Sequence, residues 1–255
     1  LDSPREPILT IPGAMTALLV VMFGIHGLRA LLPPALDEEV IWALGFVPAR
    51  YDSAVLAGQF PGGTGAEIWT FVTYAVLHAD LSHIVFNMLW MLPFGSAVAR
   101  RFGAVRFFVF LAVTAAAGAV AHLFTHQHEV APMIGASAAV SGAMAAAIRF
   151  AFQHGSFLSF RRQDAEAAAR VPALPLMRSL QSTSVIGFLG IWFGLNILTG
   201  LGAIAVGTSS QSIAWQAHIG GFVAGLLLFS LFDPVPRALV QDNAAGALPP
   251  DADLR

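Results

Sequence analysis

The chain has 255 residues, 56% of them hydrophobic and 11% charged, with a mean hydropathy of +0.72 and a formal net charge of −2. A soluble domain carries about 25% charged residues, so this composition excludes one and implies a single-domain polytopic membrane protein. The charge balance gives no signal for nucleic acid, and the lack of Cys excludes disulfides and thiolate metal sites.

About 20 apolar residues cross a bilayer, and six stretches meet or approach that length. Residues 1–12 form a tail; its first seven are polar and lack the basic-then-apolar pattern of a signal peptide, so none is expected. The first span covers residues 13–32. The connection 33–80 that follows is too long for a plain linker, and its Trp69, Phe71 and Tyr74 favour the membrane interface. It reads as a partly structured loop on the outer surface. Spans two and three cover 81–99 and 105–124. The fourth, 137–152, is short, which suits a central helix wrapped by the others and ending in a water-filled cavity. Residues 160–179 are rich in Arg and Ala and read as a solvated loop. Span five covers 185–205 and span six 214–232. The tail 233–255, rich in Pro, Ala and Asp, reads as disordered. The expected domains are therefore a tail (1–12), a membrane domain (13–232) and a second tail (233–255).

Every basic residue is Arg. Arg5 precedes span one. Arg100, Arg101 and Arg106 lie between spans two and three. Arg149, Arg161, Arg162, Arg170 and Arg178 lie around the connection from span four to span five, and Arg237 and Arg255 follow span six. Only Arg29 and Arg50 fall on the opposite side. The positive-inside rule puts both termini in the cytoplasm.

Three short patterns carry chemistry. His83-Ile84-Val85-Phe86-Asn87 sets an imidazole and an amide four residues apart, on one face near the outer end of span two. Gly135-Ala136-Ser137-Ala138 puts a hydroxyl at the start of span four. Ala217-His218-Ile219-Gly220-Gly221, followed by Gly225, puts an imidazole at the head of span six, with His218, Gly221 and Gly225 on one face. Small residues there let a neighbouring backbone approach. An ionisable side chain in hydrocarbon is costly and marks function. The Arg distribution, fixed without reference to these motifs, sets Ser137 and His218 at the same outer depth. A Ser and a His on touching helices make a nucleophile and its general base. Attack on an amide creates an oxyanion; His83, Asn87 and the Ser137 backbone N–H are candidate donors to it.

With HxxxN, GxSx at a helix start and AHxxGxxxG on spans two, four and six in that order, the chain resembles the rhomboid family of intramembrane serine proteases. Glu67-Ile68-Trp69 is similar to that family's first-loop signature. The resemblance covers residues 13–232. It implies an all-α membrane protein, a six-transmembrane-helix rhomboid-like bundle with a short central fourth helix. It implies Ser137 as nucleophile, His218 as general base, His83 and Asn87 as oxyanion donors, and Gly135, Gly221 and Gly225 as packing residues at the site. It further implies a Ser–His dyad without an acidic third member, no cofactor and no metal. The expected partners are transmembrane protein substrates and the lipid bilayer, and the expected location is a bacterial inner membrane.

Three positions depart from the family's pattern. Ala138 stands where a second Gly is usual, Thr70 where an Arg follows the loop Trp, and Ser141 where some members carry an aromatic ring. Two other readings stand beside the protease. One is an inactive rhomboid-like protein that binds transmembrane clients or serves a membrane assembly; such proteins usually lack the Ser or the His. The other is haem or metal held between His of different spans, which needs facing His at mid-depth rather than a cluster at one surface. His26, His78, His122, His126, His128 and His154 read as structural, interfacial or loop residues.

Overall fold

A computed structural model describes residues 11–52, 60–153, 162–200 and 214–236. Outside them lie most of the expected N-terminal tail, the C-terminal tail beyond residue 236, His154, and residues 201–205 of the expected fifth span. Ten helices make up the described residues: α1 (Gly13–Ala30), α2 (Pro34–Leu44), α3 (Gly63–Thr73), α4 (Leu81–Phe102), α5 (Ala104–Thr125), α6 (Ser137–Ala147), α7 (Arg162–Arg170), α8 (Leu176–Leu180), α9 (Thr183–Gly200) and α10 (Trp215–Phe232). Among the described residues there is no strand, only one isolated bridge between Phe46 and Met133.

Helices α1, α4, α5, α9 and α10 are long and apolar enough to cross a bilayer, and α6 is a shorter apolar helix. Its interior position follows from its composition. Every residue from Ala138 to Ala147 is buried, and α4, α5 and α10 pack around it. Apart from Val140 and Met144, which share the cavity face, its residues are Ala, Ser and Gly, so neighbouring backbones come close on the other faces. The long helices instead turn Val20, Leu28, Val105, Val109, Ile191, Leu227 and Leu231 outward, as lipid-facing helices must. The fold is an all-α membrane bundle with a short central helix.

The described residues of the 33–80 connection, 33–52 and 60–80, are partly helical, as expected. They fold into α2, α3 and two 3-10 turns, Pro48–Tyr51 and Tyr74–Val76. Two buried guanidinium groups hold them. Arg29 at the end of α1 donates to both carboxylate oxygens of Asp37 (2.7 and 3.1 Å) and to the His78 carbonyl (2.8 Å). Arg50 donates to the carbonyls of Trp42 (2.7 Å) and Pro61 (3.1 Å). Thr70, fully buried, donates to the Ala66 carbonyl within its own helix and meets the Tyr51 hydroxyl.

The far end of the bundle is held by guanidinium groups as well. The described part of the connection between α6 and α9 carries α7 and α8 and is anchored, while Ala167, Arg170, Pro172, Met177 and Arg178 stay exposed. Arg101 donates to the carbonyls of Ala169 and Val171 and, at 2.8 Å on each oxygen, to Asp233; Arg149 donates to the Leu174 carbonyl. Both guanidinium groups lie over the Phe229 ring. Asp233, at the head of the expected tail, is therefore tied into the bundle.

Candidate functional site

At the opposite end from Arg101, a cavity of about 720 Å³ opens among α4, α6, α9 and α10. His83, Asn87, Ser137 and His218 all line it, together with Asn196 of α9.

Each side chain is delivered by a local device. Asp80 caps α4 from an extended backbone and accepts from the His83 N–H at 2.8 Å, so His83 sits in the first turn. The ring's Nδ1 faces the Ala79 N–H at 3.4 Å, which leaves Nε2 carrying the proton. Asn87, one turn on and buried, donates one amide hydrogen to the His83 carbonyl at 3.0 Å and keeps the second. Gly135 adopts φ +126°, a left-handed conformation. A Cβ there would lie 2.8 Å from His83 Nε2 and 4.0 Å from Ser137 Oγ. The glycine therefore keeps open the space on which His83 and Ser137 converge. Its N–H is fastened to the Tyr74 carbonyl at 3.0 Å, and the Tyr74 hydroxyl to the Ala115 carbonyl at 2.8 Å. Burial raises the Tyr74 phenol above its ordinary pKa, so it stays a neutral donor.

Ser137 opens α6, where its N–H belongs to the first turn and has no partner four residues back. On α10, Gly221 and Gly225 meet the α6 backbone directly. A Cβ on Gly221 would lie 2.1 Å from the Ala138 carbonyl oxygen, and one on Gly225 would lie 2.5 Å from that of Gly142. His218 precedes Gly221 by one turn, so this contact sets its ring at the level of Ser137. Among the described residues no hydrogen bond joins the Ser137 hydroxyl to that ring.

The methyl of Ala138 is buried against Gly118 of α5, where a Cβ would meet it at 2.4 Å. It fills the α5–α6 interface and does not line the cavity. Ser141, in place of an aromatic ring, donates to the Ser137 carbonyl at 2.8 Å.

The residue that sequence reasoning missed is Asn196. Its Oδ1 lies 2.6 Å from His218 Nδ1, and its Nδ2 donates to the Trp192 carbonyl at 2.7 Å. The second bond fixes which end of the amide faces the ring. Nδ1 of His218 is then the protonated nitrogen, and Nε2 keeps its lone pair. A buried polar residue in an otherwise apolar span was the available signal.

A family model described as the Rhomboid domain matches residues 65–233, from within α3 to the Asp233 that closes α10. The rhomboid protease GlpG of Enterobacter sp. (strain 638) is 26% identical over 174 residues, covering 68% of this chain and 51% of that protein. The chain thus spans about half the length of this curated relative.

Proposed function

The chain belongs to the rhomboid family, and on that premise we propose that it is an intramembrane serine endopeptidase acting through Ser137 and His218. The observation that carries the reading is the orientation of the His218 ring. Asn196 Oδ1 accepts from its Nδ1–H, so the basic Nε2 is the free nitrogen on a ring that lines the same cavity as Ser137.

In this mechanism the Ser137 hydroxyl turns onto His218 Nε2 and attacks the carbonyl carbon of the scissile peptide. The proton moves to Nε2 as the C–O bond forms. The carbonyl oxygen becomes an oxyanion and accepts from His83 Nε2–H, the spare Asn87 amide hydrogen and the Ser137 backbone N–H. Such donors are typically worth about 2.7–4 kcal/mol each. Collapse breaks the C–N bond, and His218 returns the proton to the leaving amine. Water, deprotonated by His218, then cleaves the acyl ester and restores Ser137. Gly135, Gly221 and Gly225 serve by allowing the backbone approach.

The proposed substrates are transmembrane segments of other membrane proteins. A peptide bond in a membrane helix is already hydrogen-bonded, so the segment must unwind where a polar cavity can receive it. Entry between α4 and α9 is supported by the cavity wall there, with Phe86 and Trp90 on one side and Phe188 and Ile191 on the other. The Arg distribution supports an inner-membrane orientation with both termini cytoplasmic.

The deciding experiment is labelling by a serine-reactive fluorophosphonate, beside cleavage of a model transmembrane substrate. Wild type labels and cuts, and Ser137→Ala does neither while keeping its thermal stability. His218→Ala matches it, and the double variant is no worse than either single one, because the pair acts as a unit. Near wild-type cleavage by Ser137→Ala overturns the assignment.

A further inference from the structure

At the cavity's rim, α5 ends in His122-Leu123-Phe124-Thr125 and the chain continues through His126 to Glu129. His122 and His126 are four residues apart and their rings stack, with centroids 4.3 Å apart and planes at 23°. The His126 N–H still reaches the His122 carbonyl (2.9 Å), and the Glu129 N–H the His126 carbonyl (3.1 Å). That tight turn carries the Glu129 carboxylate back to the rings. Its Oε2 lies 3.5 Å from His122 Nε2, too far for a hydrogen bond, and is buried without any hydrogen-bond partner. One donor atom from each of the three residues lies within 4.8 Å of the other two.

We propose that His122, His126 and Glu129 bind a divalent transition-metal ion, with Zn²⁺ as the best fit. Two imidazoles and one carboxylate are a zinc donor set. Bonds of about 2.0–2.1 Å in a tetrahedron put neighbouring donors roughly 3.3 Å apart. The His122–Glu129 pair has nearly that separation, and the His126 donor lies within 4.8 Å of both. The His126 tautomer is already suited to the task. Thr125 Oγ1 donates to the carbonyls of Ala121 and His122, so in its 2.9 Å contact with His126 Nδ1 the ring is the donor. That leaves Nε2 with a lone pair, and a bonded second nitrogen is what orients a metal-binding His. Zinc also explains the burial. His122 is 5% exposed, and the shielded Oε2 beside it, on a side chain 36% exposed, has no other partner, which a cation between them would supply. His128 is not a member, because its ring pairs with Asp52 at 2.8 Å.

The ion acts as a staple. The Glu129 carbonyl accepts from the Ala49 N–H (2.9 Å), and Met133 exchanges two backbone hydrogen bonds with Phe46. Metal at Glu129 thus ties the end of α5 to the segment that leads into Gly135 and Ser137, and through it to the first connection. The site stands independently of the protease reading.

The test uses the full chain, purified in detergent without a polyhistidine tag and stripped with a chelator. Zn²⁺ is titrated by equilibrium dialysis with elemental analysis, and Co²⁺ serves as a visible-absorption probe of tetrahedral coordination. One saturable Zn²⁺ per chain is expected, with a rise in the unfolding temperature that Mg²⁺ and Ca²⁺ do not reproduce. Glu129→Gln and His126→Gln each weaken binding at least tenfold and abolish the rise. Unfolding temperatures of the metal-free variants, compared with stripped wild type, show that the fold survives. His128→Ala and His218→Ala keep full binding. Absence of saturable Zn²⁺, unchanged affinity in both the Glu129 and His126 variants, or loss of the ion with His218→Ala overturns the proposal.

Discussion

Asn196 Oδ1 and His218 Nδ1 lie 2.6 Å apart, joining α9 to α10 at the level of Ser137. A buried amide, itself held by the Trp192 carbonyl, orients an imidazole without adding charge to an apolar interior. An Asp there would have to be desolvated beside a His that is neutral in the resting state. The arrangement supplies a third polar member where no acidic residue lies in either helix.

Asn196→Ala should lower kcat by about a hundredfold, since the ring loses its tautomer and its aim. KM should change little, and fluorophosphonate labelling should slow in parallel. Asn196→Asp keeps an acceptor at Nδ1 and should recover part of the rate. Equal turnover in wild type and the Ala variant would reduce Asn196 to helix packing.

Asn87→Ala and His83→Ala should each slow cleavage about 10- to 1,000-fold and still allow some labelling of Ser137. The donors act on the oxyanion, which exists only along the reaction, while the nucleophile stays in place. Unchanged turnover in both variants would mean that these groups serve only as interhelical contacts.

Gly221→Ala should destabilise the protein by about 1–3 kcal/mol, a typical overpacking cost. Its new methyl meets the Ala138 backbone, which has no room to yield. Gly187→Ala on α9, where a Cβ finds nothing within 4 Å, should not destabilise and should gain up to about 1 kcal/mol of helix preference. Unfolding in a fixed detergent compares the two, and equal stability would contradict the close α6–α10 approach.

Joining α4 to α9 should block long substrates and spare small ones. The Trp192–Phe222 stack (centroids 4.5 Å) and Asn196 hold α9 to α10, whereas Phe188 meets Phe94 of α4 at 5.3 Å through tilted rings. The chain has no Cys, so Phe86→Cys with Ile191→Cys can be bridged by a thiol linker. The bridged protein should label with fluorophosphonate yet lose most cleavage of a transmembrane substrate. Cleavage as fast as in the unbridged variant would exclude this entry route.

Stability should fall as pH drops below about 6.5, in part through His78. Its ring is buried with both nitrogens lacking hydrogen-bond partners. Burial, with His83, His26 and Arg29 nearby, pushes it down to a pKa of about 3. The folded state keeps His78 neutral while the unfolded chain takes up a proton below about 6.5. Its contribution is therefore full above that pH and is lost progressively toward pH 3. Between pH 7.5 and 5, His78→Gln should lose less unfolding temperature than wild type. Parallel losses would show that His78 is not the sensor.

The sequence by itself determined the number and order of the apolar helices, because crossing a bilayer depends on local length and hydropathy. It also determined that His83 and Asn87 share a face, and that His218, Gly221 and Gly225 do, because helical periodicity is local as well. Tertiary structure alone decided what those faces meet. The approach of Gly135 to His83, the burial of the Ala138 methyl against Gly118, and the Arg29 fork to the His78 carbonyl join residues far apart in the chain. Asn196 escaped the sequence for the same reason. A polar side chain in an apolar helix declares that it has a partner, but only the packing of helices says which atom that partner presents.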